Sequence, residues 1–192
     1  MASKRMVVGW PFWLTWAVAF LGFPLGGVAA LAVVGGVNGV AEGAIGGLAT
    51  GAVIGGVQWL VLRRRVPLSP LWIAATGAGM AAGLAASVAF FGTETGGNAL
   101  LLRGALTGLA IGAAQWPVLR RVVGDAAVAW VPTVTAGWAI GWAVTRAVGV
   151  GLEPDFSVFG STGAWAFQFL TGLVLAGLFR RRATALPVVA LA

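Results

Sequence analysis

The sequence predicts an all-α integral membrane bundle of six transmembrane helices, built as three pseudo-repeated helical hairpins with N- and C-termini cytoplasmic. Three observations carry this. Of 192 residues, 59% are hydrophobic and only 9% are charged, whereas soluble domains carry about 25% charged residues. Ten of the twelve basic residues gather in four short clusters, at 4–5, 63–65, 120–121 and 180–182, each beside an uncharged run. The segment 47–66 recurs as 104–123 with twelve of twenty positions identical at an offset of 57, a density that marks a duplicated structural unit.

So few charges cannot clothe a water-soluble core, but lipid requires an apolar exterior. A single membrane domain, 1–192, is the economical reading. The net charge of +7 does not point to nucleic acid, which needs basic residues gathered on one solvated face; here they flank apolar runs. No cysteine and no histidine occur, so disulfides, thiol chemistry, the usual zinc sites and histidine-ligated haem have no ligands. The expectation is a chain with no catalytic and no metal site.

In chain order, residues 1–5 form a basic head. The uncharged run that follows is longer than the apolar core of a signal peptide and fits a first span over about 12–34, since roughly 20 residues cross the hydrocarbon. Pro11 suits its start and Pro24 is expected to kink it. The further spans fall at about 41–62, 71–91, 99–119, 128–148 and 161–179, with Pro132 in the tolerated first turn of the fifth. Six spans place the four basic clusters on one side, the cytoplasmic one by the positive-inside rule. Arg63, Arg64, Arg120, Arg121, Arg180 and Arg181 therefore read as topology signals. Four of the five acids, Glu42, Glu94, Glu153 and Asp155, fall on the other side.

Gly22 and Gly26 match Gly79 and Gly83 at an offset of 57, then Gly137 and Gly141 at a further 58. With Arg63, Arg120 and Arg180 closing the units, the repeats span about 11–65, 70–121 and 127–182. Successive units of two spans enter the membrane in the same direction, so a pseudo-symmetry axis would run along its normal. Aligned on the arginines, the third unit carries Leu175 where the others carry Gln58 and Gln115.

Gly47, Gly51 and Gly55 recur every four residues, as do Gly104, Gly108 and Gly112, so each set lies along one helical face. Such stripes permit close helix packing; the alternative is a pore lining, for which Thr50 and Thr107 supply the only polar groups near mid-membrane. Arg103 to Arg120 measures about 26 Å and Glu42 to Arg63 about 31 Å along a helix, close to the hydrocarbon thickness. Glu42, Glu94, Arg103 and Arg146 are thus outer-interface charges, either snorkelling or forming a charged mouth. Gln58 and Gln115 sit about 7.5 Å inside the arginines, where an unpaired amide is costly. They form either interhelical hydrogen bonds or a polar vestibule, and Gln168 and Thr171 are the other deep polar side chains. Trp10, Trp13, Trp16, Trp59, Trp72, Trp116 and Trp130 fall near the inner boundary and read as an aromatic belt. Trp138, Trp142 and Trp165 lie deeper, placed to fill core gaps or to face a pigment or lipid.

The ending Gly-x-x-Gln-Trp-x-Val-Leu-Arg-Arg, present at 55–64 and 112–121, resembles a recurring pattern of glycine-rich bacterial multi-pass membrane proteins. That resemblance covers about 44–145. It implies location in the bacterial cytoplasmic membrane and brings no activity. The functional expectation is a non-catalytic structural or accessory subunit packing with membrane lipid, pigment or other membrane proteins, or with further copies of itself. The alternative is a channel or facilitator for a small neutral solute. An intramembrane enzyme is disfavoured, since the spans offer no carboxylate pair for acid–base work.

Overall fold

The computed structural model describes residues 10–93, 98–148 and 160–185, and every regular element among them is helical. The basic head, Glu94, Glu153, Asp155 and the last seven residues lie outside the described residues. The first long helix comprises α1 (Trp10–Val18), a 3-10 turn (Ala19–Leu21) and α2 (Gly22–Val34). Pro24 cannot donate to the carbonyl of Phe20, and its ring crowds that carbonyl. The chain tightens into the 3-10 turn at that point and continues as helix.

Then follow α3 (Val40–Leu62), α4 (Leu71–Phe91), α5 (Ala99–Val123), α6 (Trp130–Ala147) and α7 (Ser161–Ala185). Gly35, Gly92 and Gly124 end α2, α4 and α5 at φ near +70°, a backbone conformation that glycine adopts without steric cost. Five stretches among the described residues are long and apolar enough to cross a membrane: Phe12–Val34, Val40–Leu62, Leu71–Phe91, Ala99–Ala147 and Ser161–Ala183. The fourth is 49 residues long, about 74 Å if it were one straight helix. It is instead folded back at Gly124 and a 3-10 turn (Gly124–Ala129), so that α5 and α6 lie side by side.

From α3 onward each helix packs antiparallel on the one before it, and α7 returns to α1. Gly22 meets Ile54 and Gly26 meets Thr50; Gly79 meets Ile111 and Gly83 meets Thr107; Gly137 meets Phe167. These contacts join α2 to α3, α4 to α5 and α6 to α7. The stripe Gly47, Gly51, Gly55 faces α4, and the stripe Gly104, Gly108, Gly112 faces α6. At Gly51 an added Cβ would stand 2.7 Å from the carbonyl oxygen of Thr76 and 2.8 Å from the Cα of Gly77. No side chain larger than hydrogen fits against that backbone.

The seam that closes the ring is built differently. Between the first long helix and α7, Phe12 meets Phe179 at 6.1 Å, Trp13 meets Phe169 at 5.9 Å and Phe20 stacks on Trp165 at 4.7 Å. Aromatic pairs replace backbone contact there and hold by area and ring geometry. The antiparallel order gathers Arg63 to Arg65, Arg120, Arg121 and Arg180 to Arg182 at one end of the bundle.

The centre of the ring is filled. Phe23, Trp138 and Phe167 touch pairwise at 5.4 to 6.2 Å, Trp72 and Trp130 touch at 5.9 Å, and Met80 is wholly buried. Leu14, Val18, Leu25, Val28, Ile45, Leu48, Leu102 and Leu173 point outward, the pattern expected where the surrounding solvent is hydrocarbon.

Candidate functional site

Five of the buried polar side chains, Gln58, Thr76, Gln115, Gln168 and Thr171, join three buried indoles in one chain of hydrogen bonds toward the arginine end of the bundle. Trp130 Nε1 donates to Gln115 Oε1 at 2.8 Å, and Gln115 Nε2 donates to Thr76 Oγ1 at 2.8 Å. Thr76 donates in turn to the carbonyl of Trp72 at 2.7 Å, and Trp72 Nε1 donates to Gln58 Oε1 at 3.3 Å. Gln58 Nε2 reaches Gln168 Oε1 at 3.5 Å, the longest link. Gln168 and Trp16 are bonded reciprocally: Gln168 Nε2 to the carbonyl of Trp16 at 2.8 Å, and Trp16 Nε1 to the carbonyl of Gln168 at 2.9 Å. Trp16 Nε1 also approaches Thr171 Oγ1 at 3.3 Å. The chain draws on α1, α3, α4, α5, α6 and α7, so every helical layer of the ring contributes.

The reason these groups meet is local. Gln58 and Gln115 sit near the end of α3 and α5, and the short connection to the next helix returns an indole to the same height fourteen or fifteen residues later. An amide offers both an acceptor and donors, so one glutamine can take the indole N–H and still donate onward. All of these residues are buried, and an unsatisfied group there would cost about 1 to 3 kcal/mol. The links exchange that penalty for bonds of about 0.6 to 2 kcal/mol each in a membrane.

Among the residues singled out from sequence, the structure brings together Gln58, Gln115, Gln168 and Thr171. Thr50 stands apart: its hydroxyl bonds across to the carbonyl of Gly26 at 3.0 Å, joining α3 to α2. Thr107 is buried with its Cα against the close-approach face of Gly83. Glu42, in the first turn of α3, and Arg103 and Arg146, on α5 and α6, lie toward the opposite end from this chain. Arg103 is half-buried and Arg146 exposed. At the arginine end Arg120 pairs with Asp125 at 2.7 Å, and since both side chains are largely exposed the pair contributes little.

Two readings need correction. Trp16, Trp72 and Trp130 are not boundary anchors facing lipid; each is buried in the bundle and donates its indole to the chain. Height along a helix places a tryptophan near the interface, but azimuth decides whether it faces lipid or the core. Of the tryptophans placed deeper, Trp138 and Trp142 are buried and fill the core, while Trp165 is 46% exposed and faces outward. The other correction concerns the third unit. On α7 the Trp16 indole is received by the carbonyl of Gln168 and, at longer range, by Thr171 Oγ1, whereas Leu175, selected by aligning the arginines, is an apolar core residue. Arg180 lies nine positions beyond Thr171, against five from Gln58 to Arg63, so the arginine cluster is an unreliable ruler for α7.

Sequence reasoning did not single out Thr76, and it read the three donor tryptophans only as belt residues. A signal existed for the latter: Trp16, Trp72 and Trp130 recur at spacings of 56 and 58, close to the repeat offset. Among the described residues no group of three or more histidines, cysteines or carboxylates could hold a metal. Comparison with protein-family models, with curated proteins and with solved structures yields no match to this chain.

Proposed function

We propose that this is a non-catalytic, six-span protein of the bacterial cytoplasmic membrane, a structural or accessory subunit whose outer face packs against lipid, pigment or other membrane proteins. One observation carries the reading: the axis of the ring is occupied by interlocked aromatic rings and by amides bonded to indoles and to a threonine hydroxyl. Polar groups consumed in that way are structural, because each is held by another side chain or by a carbonyl. The two described carboxylates, Glu42 and Asp125, lie at helix ends, away from the buried chain.

The six spans form three hairpins about an axis along the membrane normal. Supporting this, each even span accepts the indole of the following odd span, the sixth leading back to the first: Gln58 from Trp72, Gln115 from Trp130, and Gln168 and Thr171 from Trp16. The third bond closes the cycle. The arginine-bearing end faces the cytoplasm, following the positive-inside rule.

Solubilised in a mild detergent, the tagged protein is expected to copurify in fixed stoichiometry with a membrane partner or with further copies of itself. Recovery as a lone monomer would count against a subunit role. In proteoliposomes, uptake of glycerol or urea is expected to match that of empty vesicles. Uptake above that level, lost on joint Gln58→Leu and Gln115→Leu substitution, would favour a facilitator instead.

A further inference from the structure

The two copies of the duplicated Gln-Trp-x-Val-Leu-Arg-Arg ending are finished differently. In the first, Trp59 Nε1 donates to the carbonyl of Leu68 at 3.1 Å, and the Arg63 guanidinium lies 4.3 Å over the indole ring. That tryptophan is closed by its own loop. In the second, Trp116 Nε1 is shielded from solvent and has no hydrogen-bond partner. Arg120 stands farther off, 5.8 Å from the ring centre, drawn toward Asp125. Between them opens a cleft of about 370 Å³ lined by Trp116, Pro117, Arg120 and Arg121.

A buried donor without an acceptor is an anomaly that native structures resolve with a ligand or an ordered water. The residue that carries it lines a cleft that also holds two guanidiniums, the side chain suited to planar recognition of phosphate oxygens. Pro117, which has no N–H, gives the cleft an apolar wall continuous with the outward face of α5. An anionic oxygen flanked by hydrocarbon is the group that satisfies all four residues together. A cluster of basic side chains at the cytoplasmic boundary is also where anionic headgroups gather.

The geometry points to a binding site for the phosphodiester of an anionic phospholipid, held by the Trp116 indole N–H with Arg120 and Arg121. The site rests on the membrane reading above, which partition of the wild-type protein into the membrane fraction checks separately. Native mass spectrometry of the detergent-solubilised protein with phosphatidylglycerol tests it, with Trp116→Phe removing the N–H together with part of the ring, a loss of area that Trp59→Phe reproduces, and Arg121→Gln removing one charge. Each substitution is expected to weaken phosphatidylglycerol binding by about tenfold, the scale of one hydrogen bond to a charged group. Trp59→Phe, which alters the closed copy, is expected to leave binding unchanged, and phosphatidylcholine is expected to bind more weakly. Equal retention of phosphatidylglycerol by Trp116→Phe and Trp59→Phe would overturn the assignment. So would displacement of the lipid by millimolar inorganic phosphate, which would mark a site for the free anion.

Discussion

Gly51→Leu is expected to abolish the folded bundle, with a loss of about 3 kcal/mol or more. The position faces backbone: the Thr76 carbonyl oxygen at 2.7 Å and the Gly77 Cα at 2.8 Å from an added Cβ. A flexible side chain could swing aside, but these atoms belong to α4, and moving them separates two helices along their length. Overpacking of a well-packed core costs about 1 to 3 kcal/mol even where neighbours can give. Gly56, five residues on, supplies the control, because a Cβ there meets nothing within 4 Å. Gly56→Ala is expected to leave stability unchanged or raise it by up to about 1 kcal/mol through helix propensity. Unfolding in mixed micelles of rising SDS fraction reads both. Equal midpoints for the two variants would mean that α3 and α4 are not packed through Gly51.

Gln115→Leu is expected to cost about 1 to 3 kcal/mol, more than Gln58→Leu. Removing Gln115 breaks two bonds of 2.8 Å and strands the Trp130 indole N–H in a dry interior, and the stranded donor dominates the penalty. The bonds of Gln58 are longer, at 3.3 and 3.5 Å, so less is lost with them. Adding Trp130→Phe to Gln115→Leu removes the orphaned donor and is expected to recover part of the loss. Strictly additive single and double substitutions in that cycle would show that the two side chains do not interact.

Much of the fold was legible because membrane helices are bounded by simple rules. The span 71–91 matches α4 to the residue, since Pro70 precedes it and Gly92 stops it at a positive φ. The turn at Gly124 was also readable, although α5 continues to Val123 and α6 begins only at Trp130. The facing of side chains was far less legible. A helix that is apolar all round shows the same residue types to lipid and to core, so Leu62, fully buried, and Leu60, 50% exposed, look alike in sequence.

For the same reason the glutamines stood out while their tryptophan partners did not. A glutamine in a hydrocarbon span is conspicuous, whereas a tryptophan near the interface has an ordinary explanation in the aromatic belt. Only the path of the chain shows that Trp72 and Trp130 turn inward onto amides from the preceding helices. The hydroxyl of Thr76, bridging Gln115 to the backbone of Trp72, carries no sequence signature, since most helical threonines back-bond within their own helix.

The central claim, six spans closed on a filled axis, is tested most directly by side-specific labelling of single cysteines in a chain that has none of its own. The reagent is a membrane-impermeant maleimide, applied to right-side-out and inverted vesicles. Ser69→Cys and Asp125→Cys are expected to react only in inverted vesicles and Thr93→Cys only in right-side-out ones. Ser87→Cys, at a wholly buried position, is expected to react in neither. Labelling of Ser69→Cys and Thr93→Cys from the same side, or of Ser87→Cys from either, would contradict the account.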